Sequence, residues 1–89
     1  MNNENVLEEA NRLIYGDRAA TYGPVTVSFE RIAKFWAVIL ETEVTAEQVG
    51  LCMIALKMSR QISKAGRDNI VDIAGYAGCI GKMNEEAAS

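Results

Sequence analysis

Histidine is absent from this chain. The absence removes the side chain that most often serves acid–base catalysis and metal ligation near neutral pH. Ser59 and Ser63 therefore have no imidazole base, and a Ser-His triad is excluded. Only two cysteines occur, Cys52 and Cys79, without the close Cys/His spacing of a zinc site or the framework of a disulfide scaffold. Both fall among apolar neighbours in predicted helices and read as reduced core thiols. Proline occurs once, at Pro24, and no phosphate loop of the G-x-x-x-x-G-K type is present. No apolar run reaches the ~18 residues of a membrane span. The opening M-N-N-E-N is polar and acidic, unlike a signal peptide, so a soluble cytoplasmic protein with no membrane partner is expected. A net charge of −3 argues against general nucleic-acid binding, which needs a broad basic surface. A local basic pocket for a small anion remains compatible with it.

What is present fits one all-α domain over residues 1–89. Hydrophobic residues make up 49%, enough for a globular core. At this length a single core is barely sufficient, and nothing staples it, so a homo-oligomer is expected. Four helices read out, forming a compact four-helix bundle. The first spans about 3–15, capped by Asn2 or Asn3, with Val6, Ala10, Leu13 and Ile14 as its apolar stripe and Gly16 as its stop. A loop over 17–24 follows, broken by Gly23-Pro24. The second helix spans about 25–42. Phe29, Ile32, Ala33, Trp36 and Leu40 share a face, which Phe35, Val38 and Ile39 widen, so cover on two sides is expected.

Thr45-Ala-Glu-Gln48 is a capping box that opens the third helix, about 46–64. Its first half, from Val49 to Leu56, is apolar on every side, as in a central helix or a subunit interface. Gly66 ends it. The fourth helix spans about 69–85, with Asp68 as cap and a frayed tail over 85–89. Gly75, Gly78 and Gly81 lie inside it. Each interior glycine costs ~1 kcal/mol relative to alanine, so three of them predict the close approach of another helix backbone. Helices three and four are the expected central hairpin, and the apolar half of the one and the glycine face of the other are the expected interfaces.

The chemistry concentrates between Lys57 and Tyr76. Lys57, Arg60, Lys64 and Arg67 follow one another at helical spacing, a candidate phosphate clamp of planar guanidinium forks and point charges. Cations at a helix C-terminus also suit the dipole alone, so Lys64 and Arg67 have a second explanation as a solvated helix end. Asp68 and Asp72 share another face. Asp72 can pair with Lys57 or Arg60 across the hairpin, or bind Mg²⁺ together with Asp68; otherwise no cofactor is implied. A second polar cluster, Y-G-D-R-A-A-T-Y-G-P, carries Arg18, Thr21 and Tyr22. Tyr22 or Tyr76 could stack on a base, whereas Trp36 belongs to the core stripe. The candidate ligand-binding set is therefore Arg18, Thr21, Tyr22, Lys57, Arg60, Asp68, Asn69, Asp72 and Tyr76, and the expected ligand is a small anion, a nucleotide above all.

The pattern Y-G-D-R…T-Y-G-P, F-x-x-I-A-x-x-W, L-K-x-x-R and D-N-x-x-D-x-A-G-Y, over about residues 10–81, resembles a small uncharacterised domain family of phages and prophages. The resemblance implies a phage-encoded protein acting in the bacterial cytoplasm and brings no assigned activity. A fainter similarity, K-x-x-R followed by D-x-x-x-D on a helix, reaches the all-α nucleotide pyrophosphatases related to MazG. Those hold Mg²⁺ with E-x-x-E and E-x-x-D pairs, whereas the carboxylates here, Glu4/Glu8 and Asp68/Asp72, are spaced by four. Three functions follow as expectations: a non-catalytic nucleotide-binding protein that sequesters a host signal, a Mg²⁺-dependent pyrophosphohydrolase, and a protein–protein adaptor or host-takeover inhibitor.

Overall fold

The computed structural model describes residues 3–17 and 24–88. Within them lie four α-helices: α1 (Val6–Arg12), which runs on into a π-helical turn (Leu13–Asp17), α2 (Val25–Leu40), α3 (Ala46–Ser63) and α4 (Arg67–Ala88). The expected all-α, four-helix architecture is the observed one. Arg18, Thr21 and Tyr22 lie outside the described residues.

Helices α3 and α4 form the hairpin on which the fold is built, and α4 touches every other helix. The α3 start is a complete capping box. The Thr45 side chain accepts from the Gln48 N–H (3.1 Å), and the Gln48 side chain accepts from the Thr45 N–H (2.9 Å). Phe29 of α2, Val49 of α3 and Cys79 and Met83 of α4 bury their side chains together with Val25, Ala33 and Ile14. A wholly buried phenylalanine contributes roughly 2–3 kcal/mol by transfer alone. Trp36 and Tyr76 pack against this cluster from its edge.

The glycines divide into two kinds. A side-chain carbon at Gly50 would lie 2.8 Å from Ile80, so the bare backbone there lets α3 and α4 close up. At Gly78 it would collide with Ile14 of the π-helical turn, whereas at Gly75 and Gly81 it would meet nothing. The expectation of a helix backbone crowding all three α4 glycines is therefore corrected. One of them is a notch for a single side chain, and two face open space.

Several boundaries shift for local reasons. The α1 cap is Asn5, not Asn2 or Asn3, because Glu8 stands three residues on and completes a reciprocal box (2.8 and 2.9 Å). Gly16 does not stop the helix but sits inside the π-helical turn. α2 ends two residues early, at Leu40, because the next residue, Glu41, has a left-handed backbone (φ 54, ψ 43). Asp68 is not a cap, since α4 already begins at Arg67.

The α4 tail is helical to Ala88 because distant groups hold it. The Glu86 carboxylate accepts from the Thr26 N–H (3.1 Å) and hydroxyl, supplying the cap that Pro24 cannot. These hydrogen bonds come first in holding the Glu86 carboxyl below its ordinary range. Tyr15 donates to Glu85 (3.1 Å), and Lys82 reaches the Ile14 carbonyl (3.3 Å) while lying 5.0 Å from the Tyr15 ring centre. Desolvation, then the Glu85 contact, pushes the Tyr15 phenol above its usual value.

Cover is one-sided. Phe35, Val38 and Ile39 are 63%, 77% and 75% exposed, and Leu40 is also exposed, so α2 is not sandwiched as expected. α3 likewise buries Val49 and Gly50 but leaves Leu51, Cys52 and Leu56 open. Cys52 is thus an exposed free thiol and only Cys79 is a core one. The molecule measures 45 × 36 × 20 Å, its thinnest dimension being that of two helix layers.

Candidate functional site

The α3–α4 connection gathers the charged residues in which the sequence is richest. α3 stops at Ser63, where the Lys64 backbone turns extended and donates to the Arg60 carbonyl (2.8 Å). Gln61 organises the turn. Its side-chain oxygen accepts from the Gly66 N–H (3.0 Å) and from the Asn69 amide (3.1 Å). The same Asn69 nitrogen donates to the Lys64 carbonyl (3.2 Å), so its donors serve the turn and its oxygen stays free. This tie places Arg60, Ser63 and Lys64 opposite Gly66, Asp68 and Asn69 around an open depression of 380 Å³. The N–H groups of the first α4 turn have no intrahelical acceptor, and they carry the positive end of the helix dipole.

Electrostatically the site is set by which cations are already paired. Lys57 forms an ion pair with Asp72 across the hairpin at 2.8 Å, with the lysine side chain 15% exposed and the carboxylate 39%. This is one of the two pairings the sequence offers Asp72. Arg67 points away from the depression. It binds Glu9 at 2.5 Å and the Glu4 carbonyl at 3.1 Å, fastening α1 to the start of α4. Arg60 and Lys64 are both exposed and form no ion pair among the described residues. The four-cation stripe thus resolves into two structural ion pairs and two free charges.

Of the predicted site residues, Arg60, Asp68 and Asn69 are brought together, and Lys57 and Asp72 engage each other deeper in the hairpin. Tyr76 is half-buried, its ring 6.4 Å from that of Phe29 at 46°. Gln61 was not singled out by the sequence, although its spacing of eight from Asn69 across a predicted hairpin turn carried a usable signal. Three of the carboxylates already have cationic partners. Asp72 is held by Lys57, Glu4 by Arg12 (2.8 Å) and Glu9 by Arg67. Among the described residues no three acidic or cysteine side chains group as a metal site.

A family model described as "Domain of unknown function (DUF6378)" matches residues 5–84, nearly the whole length over which the helices and the depression are built. The chain belongs to the DUF6378 family. Its curated relatives include a "Gene 55 protein" of Mycobacterium phage D29, 41% identical over 85 residues that cover 93% of this chain and 56% of the relative. The "Gene 55 protein" of Mycobacterium phage L5 is also 41% identical, over 80 residues, covering 88% of this chain and 51% of that one. The DUF6378 chain thus spans about half the length of the curated relatives it matches. No solved structure matches it significantly. The expected kinship with a phage domain family is met through these relatives, and none of them points to MazG. Among the described residues no helix is long and apolar enough to cross a membrane.

Proposed function

We propose that this DUF6378 domain is a non-catalytic binding protein for a small phosphate-bearing ligand, a nucleotide or nucleotide signal. A phage could use it in the bacterial cytoplasm to sequester a host signal. The observation that carries the reading is the depression between α3 and α4, where two unpaired cations, Arg60 and Lys64, meet the amide-rich start of α4. Guanidinium and ammonium groups beside free backbone N–H groups suit phosphate oxygens. Asp68 and the free oxygen of Asn69, on the same rim, offer acceptors to the hydroxyl or amino groups of a nucleoside. With Asp72, Glu4 and Glu9 each engaged by a cation, the reading needs no hydrolysis.

The test is thermal denaturation of the full chain with inorganic phosphate, pyrophosphate and linear and cyclic nucleotides, with and without Mg²⁺, followed by recovery of the ligand. Saturating ligand at 100 times its Kd adds ~2.7 kcal/mol, a readily visible rise in melting temperature. Stabilisation with ligand recovered intact, lost in Arg60→Ala/Lys64→Ala, is the expected result. Product formation would return the pyrophosphohydrolase, and no stabilisation by any phosphate compound would end the reading. One observation favours a second reading, that of an adaptor: Phe35, Val38, Ile39 and Leu40 stand exposed at one end of α2.

A further inference from the structure

We propose that two copies of this chain pair face to face through the open side of the α3–α4 hairpin. On α3, Leu51, Ala55, Met58 and Ile62 are all exposed and recur at intervals of four, three and four, the spacing of a helical packing seam. On α4, Ile70, Ala74, Ala77 and Gly81 recur at the same intervals, with Ala74 half-buried and the others exposed. No charged residue interrupts either stripe, as in the centre of a protein interface.

Contacts elsewhere place the two stripes on one surface. α4 turns Asn69, Asp72 and Ile80 towards α3, Tyr76 and Glu86 towards α2, and Arg67, Gly78 and Glu85 towards α1 and its π-helical turn. Its remaining side, with Ile70 and Ala77, faces away from α2. α3 turns Gly50, Lys57 and Gln61 towards α4 and Val49 into the core, which leaves its stripe on that same side.

The occupant is a second copy because the surface is complementary to itself. The α3 stripe is bulky and the α4 stripe is mostly small. A two-fold axis parallel to the helices lays α3 of one copy over α4 of the other, antiparallel. The Gly50–Ile80 and Lys57–Asp72 contacts fix the heights of the two helices relative to each other. Leu51 then stands over Ala77 and Gly81, Met58 over Ala74, and Ile62 beside Ile70. The vacancy beside Gly81, where a side-chain carbon would meet nothing, becomes the seat for a partner's leucine.

The area agrees. The chain exposes 6127 Å², whereas a folded monomer of 9.7 kDa exposes ~5,100 Å² by the usual scaling. The excess, roughly 1,000 Å² over the whole chain and shared with the exposed end of α2, leaves room for the ~800 Å² each partner contributes to an interface of standard size.

Sedimentation equilibrium of the full chain tests the pairing. The expected result is a mass twice 9.7 kDa at micromolar concentration. Met58→Glu and Ala77→Glu, both at exposed positions, should each give the single-chain mass with the helical circular dichroism unchanged. Val38→Glu on α2 should remain paired. A wild-type chain at the single-chain mass throughout would overturn the proposal. So would a dimer that Val38→Glu breaks and both hairpin variants leave intact. None of these readouts involves phosphate binding, so the proposal stands or falls apart from the ligand.

Discussion

Glu86, in the last turns of α4, caps the start of α2 through Thr26, sixty residues away in sequence. Its carboxylate accepts from both the backbone N–H and the hydroxyl of Thr26, while Lys82 one turn earlier adds a favourable charge. The N-terminus of α2 and the C-terminus of α4 are thereby locked together. Glu86→Ala should cost ~1 kcal/mol at neutral pH, as loss of a helix cap does.

The same contact makes a pH dependence. Because folding lowers the Glu86 pKa from 4.5, the unfolded chain binds more protons in acid. The stabilisation is complete above 4.5 and fades as pH falls through the folded value. Urea denaturation at pH 7 and pH 3 checks this: the gap between wild type and Glu86→Ala should narrow in acid. A gap that stays constant would show that the carboxylate charge is not what caps α2.

Lys57 and Asp72 should behave as a coupled pair. Replacing Asp72 with asparagine leaves a mostly covered ammonium without its counter-charge, whereas Lys57→Met/Asp72→Leu removes both charges. A double-mutant cycle should return a coupling of ~1 kcal/mol. Phosphate affinity, assigned to Arg60 and Lys64, should change little in the double variant. A large loss of affinity without a stability change would move the binding site deeper into the hairpin.

Glycine substitutions should split by position. Gly75→Ala meets nothing and gains helix propensity, up to ~1 kcal/mol. Gly50→Ala presses on Ile80 between α3 and α4 and should destabilise by ~1–3 kcal/mol. Melting temperatures that shift in the same direction for both would contradict the packing.

Glu41→Gly should raise stability. Its φ of 54 lies in the left-handed region, which glycine occupies at no steric cost. The expected gain is up to ~1 kcal/mol by chemical denaturation, and a loss would mean that the glutamate side chain holds the end of α2.

The sequence makes legible whatever is local. Thr45 and Gln48 announce their box by spacing alone, and the apolar periodicity marks Phe29 and Ala33 as inward. Lys57 and Asp72 could be paired because a short hairpin must bring them close. What it hides is which side of a helix its neighbours cover. Phe35, Val38 and Ile39 are as hydrophobic as core residues and yet stand in solvent. Cys52 and Cys79 look alike in sequence, and only the tertiary packing around the core separates them. Nor does anything near Glu86 predict its role, because its partner is set by how α2 crosses α4. The candidate site was half legible: Arg60, Asp68 and Asn69 meet as their spacing suggests, while the occupation of Arg67 by Glu9 depends on where α1 lies.

Because every other helix rests on α4, the molecule has a single keystone. Amides between Val71 and Met83 should exchange with deuterium only when the whole chain opens, since releasing them strips α1, α2 and α3 of their support. The outer turns of α2 rest on little and should exchange far sooner. The lifetime of the folded state is then the lifetime of one helix.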